Sequence, residues 1–163
     1  MKDRNIGLIG IGSLGKNLAN NILLAGYSLY INDLNKKNSK DLINKGAKWC
    51  NDLEYLTNKS SVIITCLPNP KSVSLVIESK KGILNYINKN HLIIECSTTD
   101  EEELIRISKL IKSKSANYIE APLTGGEWKC KNGNISILVA GKKRQYKRAL
   151  PILKEIGYEI IFV

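Results

Sequence analysis

The stretch from Ile6 to Gly15, IGLIGIGSLG, sends a short apolar segment of strand character straight into three glycines, Gly10, Gly12 and Gly15. Lys16 to Ala25 then continues with helical spacing. A strand, a G-x-G-x-x-G turn and a helix in immediate succession leave free backbone N–H groups and the positive end of the helix dipole at one point. That point favours a phosphate. Each glycine answers a separate demand: Gly10 permits the tight turn, Gly12 lets the backbone approach a ligand, and Gly15 lets the helix pack closely on the strand. A glycine triplet alone is weak evidence, and the remainder of the chain decides its weight.

Strand and helix signals alternate to the end of the chain. Ser28–Asn32 reads as a second strand after Gly26, which suits a helix C-terminal cap. A polar, lysine-rich helix is predicted near Lys36–Lys45, ended by Gly46, with an extended piece at Lys48–Cys50 and a short helix near Asp52–Thr57. Ser61–Leu67, SVIITCL, is a continuous apolar run, as in a strand covered on both faces, and Pro68 and Pro70 stop it. A helix over Ser72–Ser79 and a looser GILNYIN segment lead to the strand His91–Cys96. Thr99 and Asp100 open a helix with three glutamates in its first turn and Leu104, Ile107, Leu110 and Ile111 on its buried face. Tyr118–Glu120, APLTGG, the strand Ile135–Val139, a helix over Lys143–Ile156 and the strand Tyr158–Val163 complete the order. Such alternation predicts an α/β fold, a doubly wound, mostly parallel sheet with helices on both faces of the Rossmann type. No internal repeat or linker divides it, so residues 1–163 read as a single domain.

Composition narrows the function classes. No apolar run approaches the roughly 18 residues of a membrane span, and the chain enters its first strand too early for a signal or transit peptide, so a cytoplasmic location is expected. The four cysteines (Cys50, Cys66, Cys96 and Cys130) show no C-x-x-C spacing and read as reduced thiols without a metal. A net charge of +10 with the cluster Lys142–Arg148 raises nucleic acid as a partner. No aromatic platform or nucleic-acid motif accompanies it, and a solvated helix face is the preferred reading.

The dinucleotide reading gains support from Asp33, at the end of the second strand and 18 residues past Gly15. A carboxylate there accepts hydrogen bonds from the adenine ribose hydroxyls and repels a 2′-phosphate, favouring NAD over NADP, although Lys36 and Lys37 follow closely. The alternative is a turn-forming aspartate. Three strand ends offer further polar groups to one crevice: Leu67-Pro68, Ser97-Thr98-Thr99 and Thr124-Gly125-Gly126. The physical argument reaches a dinucleotide site without naming a reaction.

GLIGIGSLGKNLANNILLAGY, VIITCLPNP, IIECSTTD, EAPLTGG and NGNISILVAG resemble, in order and spacing, the β-hydroxyacid dehydrogenases. That group includes 3-hydroxyisobutyrate dehydrogenase and, more distantly, 6-phosphogluconate dehydrogenase. The resemblance implies that Gly10, Ile11, Gly12, Ser13, Leu14 and Gly15 hold the pyrophosphate and Asp33 the ribose. It further implies that Leu67 and Pro68 line the adenosine side, with Thr98 near the nicotinamide. Thr124, Gly125 and Gly126 match the family's Ser-Gly-Gly, which binds the substrate carboxylate and hydroxyl. The family's catalytic lysine lies on a helix beyond this domain, leading into a helical second domain, and no lysine here matches its position; no catalytic residue is assigned. Hydride transfer between NAD(P) and a small 3-hydroxy acid or its aldehyde, incomplete in this chain alone, is the implied function. A non-catalytic dinucleotide-binding module is the alternative. His91 carries no partner motif and is read as structural.

Overall fold

The computed structural model describes residues 3–125, 129 and 134–163. Its elements are β1 (Asn5–Ile9), α1 (Ser13–Leu24), β2 (Ser28–Asn32), α2 (Lys40–Asn44), β3 (Lys48–Trp49), α3 (Leu53–Lys59), β4 (Val62–Thr65), α4 (Pro70–Glu78), β5 (Leu92–Glu95), α5 (Glu101–Ser113), β6 (Asn117–Glu120), β7 (Leu123–Thr124), β8 (Ser136–Gly141), α6 (Lys143–Ile156) and β9 (Glu159–Phe162). The strands lie side by side in the order β3-β2-β1-β4-β5-β6-β8-β7, with β9 beside β8. β1 to β6 run parallel, β8 runs antiparallel to β6 and β7, and β9 is parallel to β8. The chain builds outward from β1 to β3, then returns to β4 and builds the other way. The crevice of such a sheet opens where that direction reverses, at the carboxyl ends of β1 and β4.

β4 and β5 are buried along their whole length because both faces are covered. In β5, Leu92 and Ile94 join the core beneath α1 and α6, while Ile93 joins the core on the opposite face with Val73, Ile77 and Ile107. Continuous apolar runs therefore stand where an exposed sheet would alternate. Ile64 of β4 is fully buried.

Several boundaries differ from the sequence reading, three of them for a clear local reason. The segment 36–45 is a 3-10 turn over Lys36–Ser39 followed by the single-turn α2, whose buried residue is Leu42. A segment with so little apolar surface to bury gains little from continuing as one helix. α4 begins at Pro70, because Asn69 accepts the Ser72 N–H at 2.9 Å and proline fits the first helical turn. β4 ends at Thr65 rather than Leu67, since the Leu67 N–H leaves the ladder and donates to Ser97 Oγ at 2.9 Å.

The amino ends of the strands are fastened by side chains. The Arg148 guanidinium donates to Asp3 at 2.9 Å and to the carbonyls of Ser61 (3.2 Å) and Asn90 (2.7 Å). Burial pushes the Asp3 carboxyl up, but the hydrogen bonds from Arg148 and Ser61 and the charge of Arg148 hold it below its usual range. His91 is buried; its Nδ1 accepts the Asn88 N–H at 3.0 Å, which leaves Nε2 to donate to the Thr57 carbonyl at 3.1 Å. The only histidine of the chain is thus a structural link far from the crevice.

Ile64→Ala removes a fully enclosed side chain at the centre of the sheet and is expected to cost about 2–5 kcal/mol in urea unfolding. A loss below about 1 kcal/mol would show that the core collapses around the gap.

Candidate functional site

The turn after β1 is held by one carboxylate. Asp33, just past β2, accepts the Ile11 N–H on Oδ2 and the Asn35 N–H on Oδ1, each at 2.8 Å. The Gly10 N–H donates to the Asn32 carbonyl at 3.0 Å, so β2 grips the turn from two sides. Gly10 has φ +94°, and a Cβ there would fall on the carbonyl oxygen of Cys66. A Cβ on Gly15 would fall on the carbonyl oxygen of Gly10, which is the close helix–strand approach that only glycine allows. Gly12 is different. Among the described residues nothing lies within 4 Å of its Cβ position, so it faces open space.

Gly12 is also the N-cap of α1, and no side chain caps the helix or places an acid in its first turn. Among the described residues, no carboxylate meets the first N–H groups of α1 or its positive dipole end, which face the crevice. A cleft of about 980 Å³ opens there. Gly10, Gly12, Ser13, Leu14 and Gly15 form one wall of it, with Asp33, Leu67, Pro68 and Thr98 around it. These nine residues singled out from the sequence come together on one cleft. Ile11 lies beneath it, with its side chain fully buried and its N–H committed to Asp33. An uncapped helix end over an open glycine, in a long cleft, fits the pyrophosphate of a dinucleotide.

Thr124 and Gly125 stand elsewhere. Thr124, on β7, donates its hydroxyl to the Ser136 carbonyl at 2.9 Å, and Gly125 turns the chain with φ +111°. Neither lines the cleft, and Gly126 lies outside the described residues. Lys36 places its ammonium 5.6 Å from the centre of the Trp49 ring, whereas Trp49 itself borders the cleft. Of the two residues expected to open α5, Asp100 caps it by accepting the Glu103 N–H at 2.8 Å.

The structure adds groups that the sequence did not single out. Leu34 is 98% exposed and Leu75 56%, and both border the cleft as apolar surface ready to be covered. An exposed leucine directly after Asp33, in an otherwise polar segment, was the available signal. Glu95, at the end of β5, is buried. Its Oε1 accepts the Ser97 N–H at 2.8 Å, Ser97 Oγ accepts the Leu67 N–H at 2.9 Å, and Oε2 has no hydrogen-bond partner among the described residues. Glu95 thereby joins the loops after β4 and β5 on the cleft side. Burial pushes its carboxyl up, the Ser97 and Thr65 hydrogen bonds oppose this, and the Glu120 charge adds to it.

With this geometry established, the comparisons with known proteins decide the family. A model of the NAD binding domain of 6-phosphogluconate dehydrogenase matches residues 5–163. The chain belongs to this family. The NAD-binding domain is 29% identical over 162 residues to 2-(hydroxymethyl)glutarate dehydrogenase of Eubacterium barkeri, covering 99% of this chain and 54% of that protein. It is 29% identical over 157 residues to mitochondrial 3-hydroxyisobutyrate dehydrogenase of Drosophila melanogaster, covering 96% and 48%. The chain spans about half the length of the curated relatives it matches. Among solved structures, Psf3 in complex with NADP+ and 2-OPP superposes with a TM-score of 0.93 at 24% identity, covering 97% of this chain and 56% of that one. The 3-hydroxyisobutyrate dehydrogenase of Salmonella typhimurium gives 0.90 at 22%, covering 99% and 56%. At these identities the structural matches establish the fold. Among the described residues, no helix is long and apolar enough to cross a membrane.

Two substitutions test the cleft. Gly15→Ala pushes α1 off the turn and is expected to weaken NADH binding by at least about tenfold in a fluorescence titration; binding equal to the parent chain would refute the close approach. Glu95 favours its neutral form in the fold, so its contribution is present below the ordinary glutamate range and is lost as pH rises through its raised value. Unfolding midpoints followed from about pH 4 to pH 8 should therefore fall for the parent chain relative to Glu95→Gln, which cannot ionise. Parallel profiles would show that Glu95 does not ionise from a buried neutral state.

Proposed function

We propose that this chain is the cofactor-binding part of an oxidoreductase of the 3-hydroxyacid dehydrogenase type, acting in the cytoplasm. The observation that carries the reading is the uncapped α1 N-terminus over Gly12, facing a cleft long enough for a dinucleotide. Residues 1–163 serve as one cofactor-binding domain, and the activity named for the longer relatives requires the portion those proteins have in addition. The bound nicotinamide supplies the hydride acceptor or donor.

The roles of the chain's own groups follow from their chemistry. The first N–H groups of α1, from Ser13 to Gly15, hold the pyrophosphate oxygens, helped by the helix dipole. Asp33 spends one acceptor direction of each oxygen on the turn, and a carboxylate has about four, so the ribose hydroxyls can donate to the rest. Leu34, Leu67 and Pro68 give the adenosine apolar surface, and Thr98 stands on the nicotinamide side. Thr124, Gly125 and Gly126 take the carboxylate and hydroxyl of a small 3-hydroxy acid or its aldehyde, a role supported by their resemblance to the family's Ser-Gly-Gly.

NAD is favoured over NADP because a 2′-phosphate would meet the Asp33 carboxylate, while Lys36 is engaged with Trp49. Titration of the purified chain, followed by quenching of Trp49, is expected to show NADH binding at least about fivefold tighter than NADPH. Tighter NADPH binding would overturn the role of Asp33. Absence of binding by either nucleotide would overturn the cofactor reading itself.

A further inference from the structure

Two thiols stand next to each other at the floor of the cleft. Cys66 directly follows β4 and Cys96 directly follows β5. These strands are parallel neighbours with Thr65 opposite Glu95, and the ladder continues one bond further, the Cys96 N–H donating to the Thr65 carbonyl at 2.9 Å. Adjacent strands are about 4.8 Å apart, within the roughly 4.4–6.8 Å Cα separation that a disulfide spans. Both side chains fall on the same sheet face, because both pack against the core beneath α1, and both border the cleft. Cys66 is partly exposed and Cys96 is buried. Cys66 is thus placed to meet a solvent oxidant first, with Cys96 behind it on the neighbouring strand.

We infer that Cys66 and Cys96 form a peroxide-responsive pair whose disulfide weakens dinucleotide binding. A hydroperoxide transfers one oxygen to the Cys66 sulfur, giving a sulfenic acid and releasing water or an alcohol. The Cys96 thiol then attacks that sulfur, the S–S bond forms, and water leaves with the sulfenic oxygen. Two electrons pass in total from the thiol pair to the peroxide. The effect on binding comes from what rests on Cys66. Gly10 packs on its carbonyl, and its Cβ lies 3.9 Å from the Cβ position of Gly15. Drawing Cys66 toward β5 disturbs the turn that presents the N–H groups of α1. By linkage, a bound dinucleotide must disfavour the bridge to the same degree. Cys50 gives an internal reference, because burial and then the Asp52 charge push its thiol up to about 11.

This rests on the dinucleotide reading of the cleft, and the test separates the two. The purified chain is treated with hydrogen peroxide, alkylated, digested with trypsin and analysed by mass. The peptide of residues 60–71 is expected to be joined to that of residues 90–106, about 2 Da lighter than the sum of the two reduced peptides. Cys50 stays reduced. Saturating NADH should slow the linkage at least about fivefold, and the oxidised chain should bind NADH at least about fivefold more weakly until dithiothreitol restores it. Cys96→Ser, checked for fold by circular dichroism, should give a dimedone-reactive Cys66 and no linkage. Cys66 over-oxidised without linkage, or linked instead to Cys50 or Cys130, overturns the pair. Linkage with unchanged NADH affinity overturns its effect on binding. A reduced chain that binds no NADH refutes the cofactor reading, while the peptide linkage still decides the thiol chemistry.

Discussion

The hydrogen bond from the Ile11 amide to the Asp33 carboxylate is the constraint on which the site depends. It joins the end of β2 to the turn after β1, so the glycine loop has a fixed height above the sheet. Once that height is set, α1 must start at Gly12 and pass over Gly10 with no room for a side chain at Gly15. The crevice at the β1/β4 reversal then has a wall of donors on one side and the β4 and β5 loops on the other. A charged residue reserved for a ligand would leave the turn loose. Asp33 can serve both because a carboxylate has more acceptor directions than the turn consumes.

Most of the architecture was legible because the signals agree at several levels. Apolar runs such as VIIT and LIIE have the length of strands covered on both faces, and glycine ends α1 where φ must be positive, at Gly26. The reading failed where a segment had little to bury. Residues 36–45 looked helical by composition, yet without an apolar stripe they form a tight turn and a single helical turn. The residues of the glycine turn were legible by spacing. Glu95 was not, since its burial comes from tertiary covering, and the Ser97 it holds bonds to Leu67 in a loop distant in sequence. The separation of Thr124 from the cleft was equally hidden, because β7 and β8 pair antiparallel outside the alternating pattern that organises the rest.

The resemblance and the physics contribute different things. Spacing and helix electrostatics lead to a phosphate at the start of α1, whatever protein carries them. The family adds that this phosphate belongs to a dinucleotide. The cleft itself is built from backbone amides and apolar walls that suit the cofactor.

The network around Arg148 has a practical side. It anchors Asp3 at the amino ends of the strands, and β1, five residues long and so about 17 Å, separates that pole from the glycine turn. The two poles of the sheet are thus spatially separate. A bead, label or fusion partner attached ahead of Asp3 sits at the pole opposite the glycine turn. It leaves the glycine turn free to take up and release nucleotide.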